Sequence, residues 1–560
     1  MKKIKLYTAC ASLMLLGLAS CDVENLNNNP NKPTLDQGGA VVSEAVLGGT
    51  IRAGIIIEGD VEERSRSLQT DFYSQVVIDC GSWATKNYDT NDGWNNSTWT
   101  AYQKNVFSLT SGIKGLEGDP DSNPNLLAFA KTWRVYVHSL GCDKFGPMPF
   151  ITTTDMLEAG VNPKYRSVED IYTEYFAELD AAAKLYTQDG EVFGNASTDV
   201  VFGNKAEKWQ KFNNSLRLRF ALRLSEIAPE VCKTQAAAAL AAPGGVMTSA
   251  ADDARCAVVG DGGWGNKYNY YMFQVSWGTP SNMSLSFERL VTSIGGIDFP
   301  TGLKNYTKGT ALSTVHPEKV DPRAPIMFMP AAGNGNWAGI PYGPKTVDQN
   351  KGDYTGTNYA EMGGYLYPNG KENYNRPYDL MLYEEVCFLK AEAYLRGFIA
   401  GGDGMAKAAY EAGVRASFDT WGAKGVDEYL ASTDKNYAGT SAKWDDFSND
   451  NGNTKLEKII TQKYIAGGID LSQESWNDKR RLNLPRLDVA IYRIESLYNN
   501  SDKDIKKSEN FIQRMQYPTR EAQINGEFYE GGVQALGGKD NVTTPIWWAS
   551  KKSNYCTSDK

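Results

Sequence analysis

Apolar residues recur at spacings of three and four along much of this chain, the period of one buried helix face. The stripe after Ser167 runs Ile171, Tyr175, Leu179, Ala183 and Tyr186, and Ser167 with Asp170 fits a capping box that opens a helix there. Trp209, Phe212, Leu216 and Phe220 mark another helix, and an alanine-rich one over 236–242 stops at Pro243-Gly244-Gly245. Helices are predicted over 378–396, 405–421 and 455–466, the first with Leu382, Val386, Leu389 and Ala393 on one stripe. Toward the amino end, the pattern predicts a helical region over about 40–80 and two helices over about 98–140, broken at LEGDPDSNPN. Antiparallel helix pairs with small residues at close contacts predict a mostly α fold of tetratricopeptide-like helix pairs, although no clean 34-residue repeat is present.

The pattern fails in two places. Residues 81–97, GSWATKNYDTNDGWNNS, read as a loop dense in Gly, Asn and Trp. From about 250 to 375 Gly, Asn, Tyr and Pro dominate and periodicity fades. Long connections of this kind in a folded domain are usually functional. At the start, Lys2, Lys3 and Lys5 precede an apolar run from Leu6 to Leu18. That is the layout of a secretory signal, too short for the roughly 20 residues of a membrane helix. Leu18-Ala19-Ser20-Cys21 resembles the bacterial lipobox, which implies cleavage before Cys21 and acylation of its thiol. The domain reading is a signal peptide over 1–20, a flexible lipid-linked tether over 21–37, and one helical domain over 38–560 with the loop-rich insert inside it.

Composition removes several functions. Loss of the three signal lysines makes the formal charge of −9 three units more negative, a poor surface for nucleic acid. With two histidines, His138 and His316, a His-based triad or multi-His metal site lacks material, and His138 reads as a satisfied core residue. Gly537-Gly538-Lys539-Asp540 departs from a phosphate loop, and Asp119–Asn123 departs from a calcium loop at Pro124 and Ala130. None of the eight cysteines forms a C-x-x-C pair, and no disulfide, metal or cofactor is predicted.

Several separated stretches resemble the SusD/RagB family of outer-membrane lipoproteins of Bacteroidota, in its starch-binding, outer-membrane-associated branch. They are NNNPN after the lipobox, CDKFGPMPF (142–150), VDPRAPIMF (320–328), NWAGIPYG (336–343), LYEEVCFLKAEAYLRG (382–397) and AAYEAGVRASFDTWG (408–422). ITQKYIAG (460–467), ESWNDKRRLNLP (474–485) and RMQYPTREAQIN (514–525) complete the series in order. Physically these read as scaffold. Glu392 and Arg396 stand one turn apart and can pair, and Arg480 and Arg481 after Trp476 suit a tie to neighbouring carboxylates.

The resemblance implies a lipid-anchored outer-membrane protein facing the exterior. It would capture a nutrient, usually a glycan and in some branches a peptide, and hand it to a SusC-like TonB-dependent barrel without catalysis. A surface glycoside hydrolase built on a carboxylate pair and a purely adhesive scaffold are the competing readings. Ligand contacts are expected from aromatic rings in loops, since Trp and Tyr cover a sugar face with few rotatable bonds. The candidates are Trp83, Tyr88, Asp92 and Trp94 in the first loop, Trp264, Tyr268 and Trp277 in the insert, and Trp337 in the GNWAG loop. Trp99 and Tyr102 are assigned to a helix start.

Overall fold

The computed structural model describes residues 35–55, 63–78, 84–150, 164–187, 189–257, 282–300, 317–345, 354–363, 377–494, 496–498 and 508–559. Its backbone is a succession of helices packed on their sequence neighbours. Helices α1 (Leu35–Ile55), α2 (Asp92–Glu117), α3 (Pro124–Phe145), α4 (Val168–Leu185), α5 (Ala206–Arg223) and α6 (Pro229–Ala241) each contact the next. After a short helix α7 (Leu285–Val291), the second set is α8 (Tyr383–Leu395), α9 (Gly402–Trp421), α10 (Lys455–Gly467) and α11 (Ser472–Leu482). Helix α5 joins the sets by packing on α8 and α11. The mostly α, helix-pair expectation holds. Helix α1 takes in residues 35–37, which the sequence reading gave to the tether.

Local signals explain where the helices start. Ser167 accepts from the backbone N–H of Asp170 to cap α4, and every residue of the predicted stripe is buried. Thr454 and Glu457 form a reciprocal capping box on α10. Close approach rests on small residues. A Cβ on Gly112 would stand 2.8 Å from Leu47 of α1, and one on Gly413 would stand 2.8 Å from Phe388, so larger residues would push these pairs apart.

The loop-rich region contains strands that periodicity does not reveal. β1 (Val77–Ile78), β3 (Asn282–Met283), β7 (Glu361–Met362) and β6 (Phe328–Met329) form one antiparallel sheet in that order. β2 (Ala254–Cys256) pairs with β8 (Tyr378–Met381), and β4 (Thr292–Asp298) with β5 (Lys319–Val320). The segment 378–381, expected as the start of a helix, is thus a strand, and α8 begins at Tyr383. The four-stranded sheet packs on a second apolar cluster containing Phe72, Phe287, Trp337 and Trp476. β2 and β8 instead bury Ala254, Cys256, Leu380 and Met381 in the first cluster, which is centred on α1–α6 and reaches α8.

Buried ion pairs connect the helices. Arg219 of α5 grips Glu385 of α8 with two bonds of 2.9 and 2.6 Å, and Arg223 reaches Glu474 of α11 at 2.6 Å. Arg481 holds Glu392 at 2.6 and 2.9 Å and Asp478 at 2.8 Å. Glu392 also pairs with Arg396 at 2.9 Å, as their spacing predicts. Arg480 differs from expectation. It donates to the carbonyls of Gln513 and Asp143 and lies 3.6 Å over the Trp476 ring. The Asp-Pro-Arg element folds on itself: Arg323 binds Asp321 through two bonds and reaches Gln462 and Ser417, all buried.

His138 is a core residue, as expected, with Nε2 2.8 Å from the Pro149 carbonyl and Nδ1 2.5 Å from the Tyr175 hydroxyl. Cys142, Cys232, Cys256, Cys387 and Cys556 are buried free thiols, while Cys80 and His316 lie outside the described residues.

A candidate ligand groove between α2 and the carboxyl-terminal segment

The eight predicted contact residues separate into three groups. Trp83, Trp264, Tyr268 and Trp277 lie outside the described residues. Tyr88 and Trp337 are in the core, so neither offers a ring face to an external ligand. Tyr88 is ringed by Tyr73, Tyr342, Tyr498 and Phe511 at centroid distances of 5.9–6.5 Å, and its hydroxyl accepts from the Ala490 N–H. Burial pushes that hydroxyl well above the usual tyrosine range. Trp337 stands edge-on to Phe299 at 5.3 Å. Polar neighbours in sequence made both look like surface loop residues, but burial of a large ring outweighs local composition.

Asp92 and Trp94 form the third group, and they are helical rather than loop residues. Asn91 caps α2 by accepting from the Trp94 N–H at 3.1 Å, so the helix starts about six residues earlier than expected. Trp94 is half-buried against the second cluster. Asp92 is exposed and receives the Thr519 N–H at 2.6 Å and the Thr519 hydroxyl at 2.8 Å. Those bonds cap helix α12 (Thr519–Ile524) from across the chain and hold it beside α2. Helix α13 (Gly526–Leu536) follows it.

Between α2 and α12 lies a groove of about 550 Å³. That is within the range of roughly 300–1,000 Å³ that holds a small-molecule ligand. Helix α2 contributes Asn96, Gln103, Lys104 and Phe107, spaced along one face, and α12 contributes Arg520, Glu521 and Ile524. Trp99 is part of the lining at 4 % exposure, fixed by stacking on Tyr165 and by edge contacts with Phe145 and Tyr517. Phe107 and Ile524 are about half exposed, at 48 % and 53 %. Two large apolar side chains left in water beside a concavity make the groove a candidate binding surface.

The groove's polar lining is directed. The Tyr165 hydroxyl donates to Glu521 at 2.7 Å, and the Asn525 amide donates to the same oxygen at 2.7 Å. Burial and the adjacent Glu521 carboxylate push the Tyr165 hydroxyl upward, so it stays protonated and keeps donating. Asn525 Oδ1 is buried and has no hydrogen-bond partner, leaving an acceptor unfilled beside the groove. Glu521 is the lone carboxylate among the described lining residues. Among the described residues, no cluster of three or more His, Cys, Asp or Glu can hold a metal ion. Nor is any described helix long and apolar enough to cross a membrane.

The fold is a scaffold of stacked helix pairs with a groove on its surface. Residues 61–549 match the family described as SusD-like, Susd and RagB outer membrane lipoprotein, and the chain belongs to that family. The family's outer-membrane description is in line with the secretory signal and lipobox expected from the sequence. A SusD homolog from Parabacteroides distasonis is 54% identical, with TM-score 0.87 over 92% of this chain and all of that one. A chitin-binding SusD homolog from Flavobacterium johnsoniae is 26% identical, with TM-score 0.73 over 91% of this chain and 99% of the other. A SusD-like protein from Bacteroides thetaiotaomicron is 25% identical, with TM-score 0.70 over the same shares. No curated protein matches the chain.

Proposed function

We propose that this chain is a surface lipoprotein, anchored through Cys21, that captures a glycan outside the cell. It then delivers the glycan to a SusC-like TonB-dependent barrel without chemical change. The family match over residues 61–549 carries the reading. A chitin-binding relative across nearly the full length supports a glycan ligand, and the groove beside Phe107 and Ile524 supplies a surface of suitable chemistry. Apolar side chains can cover the C–H face of a sugar while Asn96, Gln103 and Asn525 reach its hydroxyls. The loop aromatics Trp83, Trp264, Tyr268 and Trp277 remain part of the proposed ligand surface.

The test uses a soluble chain that starts at Asp22, run through native gels containing polysaccharides and titrated calorimetrically with oligosaccharides, chitin fragments included. Retention by at least one glycan, with the ligand recovered intact, is the expected result. Phe107→Ala should weaken binding in the groove about tenfold while leaving the fold unchanged, because the ring is half exposed. Release of a shortened product, or binding of peptides with no binding of any glycan, would refute the reading. Co-purification of the lipidated chain with a barrel from its own outer membrane tests the partner.

A further inference from the structure

Two cations enter the α2–α12 groove from opposite walls. Lys104 comes from α2 and Arg520 from α12. Both are exposed, and neither makes an ion pair or hydrogen bond with a described residue. Glu521, the carboxylate beside them, is 6 % exposed and is already occupied by Tyr165 and Asn525. Some exposed cations elsewhere sit against carboxylates, as in Lys319–Asp434, Lys407–Asp445 and Arg415–Asp427, and others such as Lys114, Lys233 and Lys424 do not. What sets Lys104 and Arg520 apart is that they face one concavity together. Two cations lacking counter-ions and flanking one concavity favour a negative group brought in from outside. The remaining lining narrows what carries that group. Phe107 and Ile524 offer an apolar face, and Asn525 Oδ1 awaits a hydroxyl or N–H donor.

We propose that the groove between α2 and α12 binds an acidic oligosaccharide, with its carboxylate or sulfate held between Lys104 and Arg520 and a sugar face resting on Phe107 and Ile524. This rests on the glycan reading above and specifies its substrate class. Arg520 can present two parallel N–H donors to a carboxylate or sulfate, and Lys104 adds a point charge that is free to adjust.

Calorimetry on the soluble chain from Asp22 tests it with four probes: trigalacturonate, a sulfated chondroitin disaccharide, chitotriose and phosphatidylglycerol vesicles. The expected result is binding of trigalacturonate or of the chondroitin disaccharide, and the better of these tells carboxylate from sulfate. Lys104→Gln and Arg520→Gln should each weaken that binding about tenfold, Lys104→Arg should retain it, and raising salt from 50 to 500 mM should weaken it further. Neither side chain makes a hydrogen bond or ion pair with a described residue, so an unchanged Tm will show that the variants are folded. Equal affinity for acidic and neutral probes, or no effect of the two Gln substitutions, overturns the proposal. So does capture by vesicles without any saccharide binding. Chitotriose binding alone leaves the glycan reading standing and removes only this inference. No binding to any glycan in a wide panel removes both.

Discussion

Arg219→Met is expected to destabilise the protein more than Arg481→Met, although Arg481 makes more bonds to carboxylates. Both guanidinium groups are buried, with side-chain exposures of 4 % and 2 %. The difference lies in what each leaves behind. Without Arg481, Glu392 keeps Arg396 at 2.9 Å and Asp478 keeps Lys463 at 2.9 Å. Without Arg219, Glu385 has as its nearest cation Lys463 at 3.9 Å, which already serves Asp478. Breaking a buried pair costs about 3–5 kcal/mol, mostly as the penalty of the charge left unpaired. Arg219→Met therefore belongs near 5 kcal/mol and Arg481→Met near 3 kcal/mol, both about. At about 2.1 cal/mol/K per residue, a chain of 560 residues has an unfolding entropy of about 1.2 kcal/mol/K, so each kcal/mol shifts Tm by about 1 °C. Scanning calorimetry at pH 7 should show losses of about 5 and 3 °C, and Arg219→Met with Glu385→Leu should regain most of the larger one. A loss for Arg481→Met equal to or above that for Arg219→Met would refute the argument from orphaned charge. So would a double variant no better than the single one.

Asp92→Ala should release α12 from α2, and hydrogen exchange in residues 519–524 should quicken about tenfold, the effect of losing about 1.4 kcal/mol of capping. Unchanged protection there would show that Asp92 does not hold the groove wall. Burial lowers His138 from 6.5 to about 3. The unfolded chain therefore binds that proton first, and stability falls by about 1.4 kcal/mol per pH unit as pH drops from 6.5 toward 3. In protein carrying ¹⁵N-labelled histidine, the His138 ring should remain neutral at pH 5, and a midpoint near 6.5 would contradict its burial. Burial, reinforced by the Asp253 charge, raises Glu384 from 4.5 to about 8. The native state keeps this proton while the unfolded state has lost it, so stability drops as pH rises from 4.5 to 8. Glu384→Gln should then raise Tm at pH 8 by roughly 3 °C, with the gain shrinking toward pH 4.5, and a lowered Tm would show that the carboxylate is needed.

Helices were legible in the sequence because their signals are local. Ser167 with Asp170 and the 171–186 stripe define α4 without reference to anything distant, and Gly422 in the left-handed conformation ends α9 where its pattern stops. The strands were not legible. β1 and β3 are two residues each, too short for alternation to show, and Val77 finds its place only against Met283. The groove was hidden for a related reason: Asp92 meets Thr519 across 427 positions, a separation no spacing rule spans. Arg219, Arg223 and Arg481 interrupt helix patterns as if they faced water, and only the carboxylates of other helices explain their burial. Tyr88 misled in the opposite sense, being surrounded by polar sequence neighbours and enclosed by distant aromatic rings.

The five described cysteines bear on how the protein can be made. Each is a buried thiol, and the helices are cross-tied by guanidinium–carboxylate pairs rather than by sulfur. Such ties form spontaneously with the fold and require no oxidant or disulfide-shuffling enzyme. A chain that starts at Asp22 should fold in a reducing bacterial cytoplasm, and dithiothreitol should leave its melting unchanged. The ion-pair lattice thus ties the described helices together through bonds that do not depend on the redox state of the compartment in which they form.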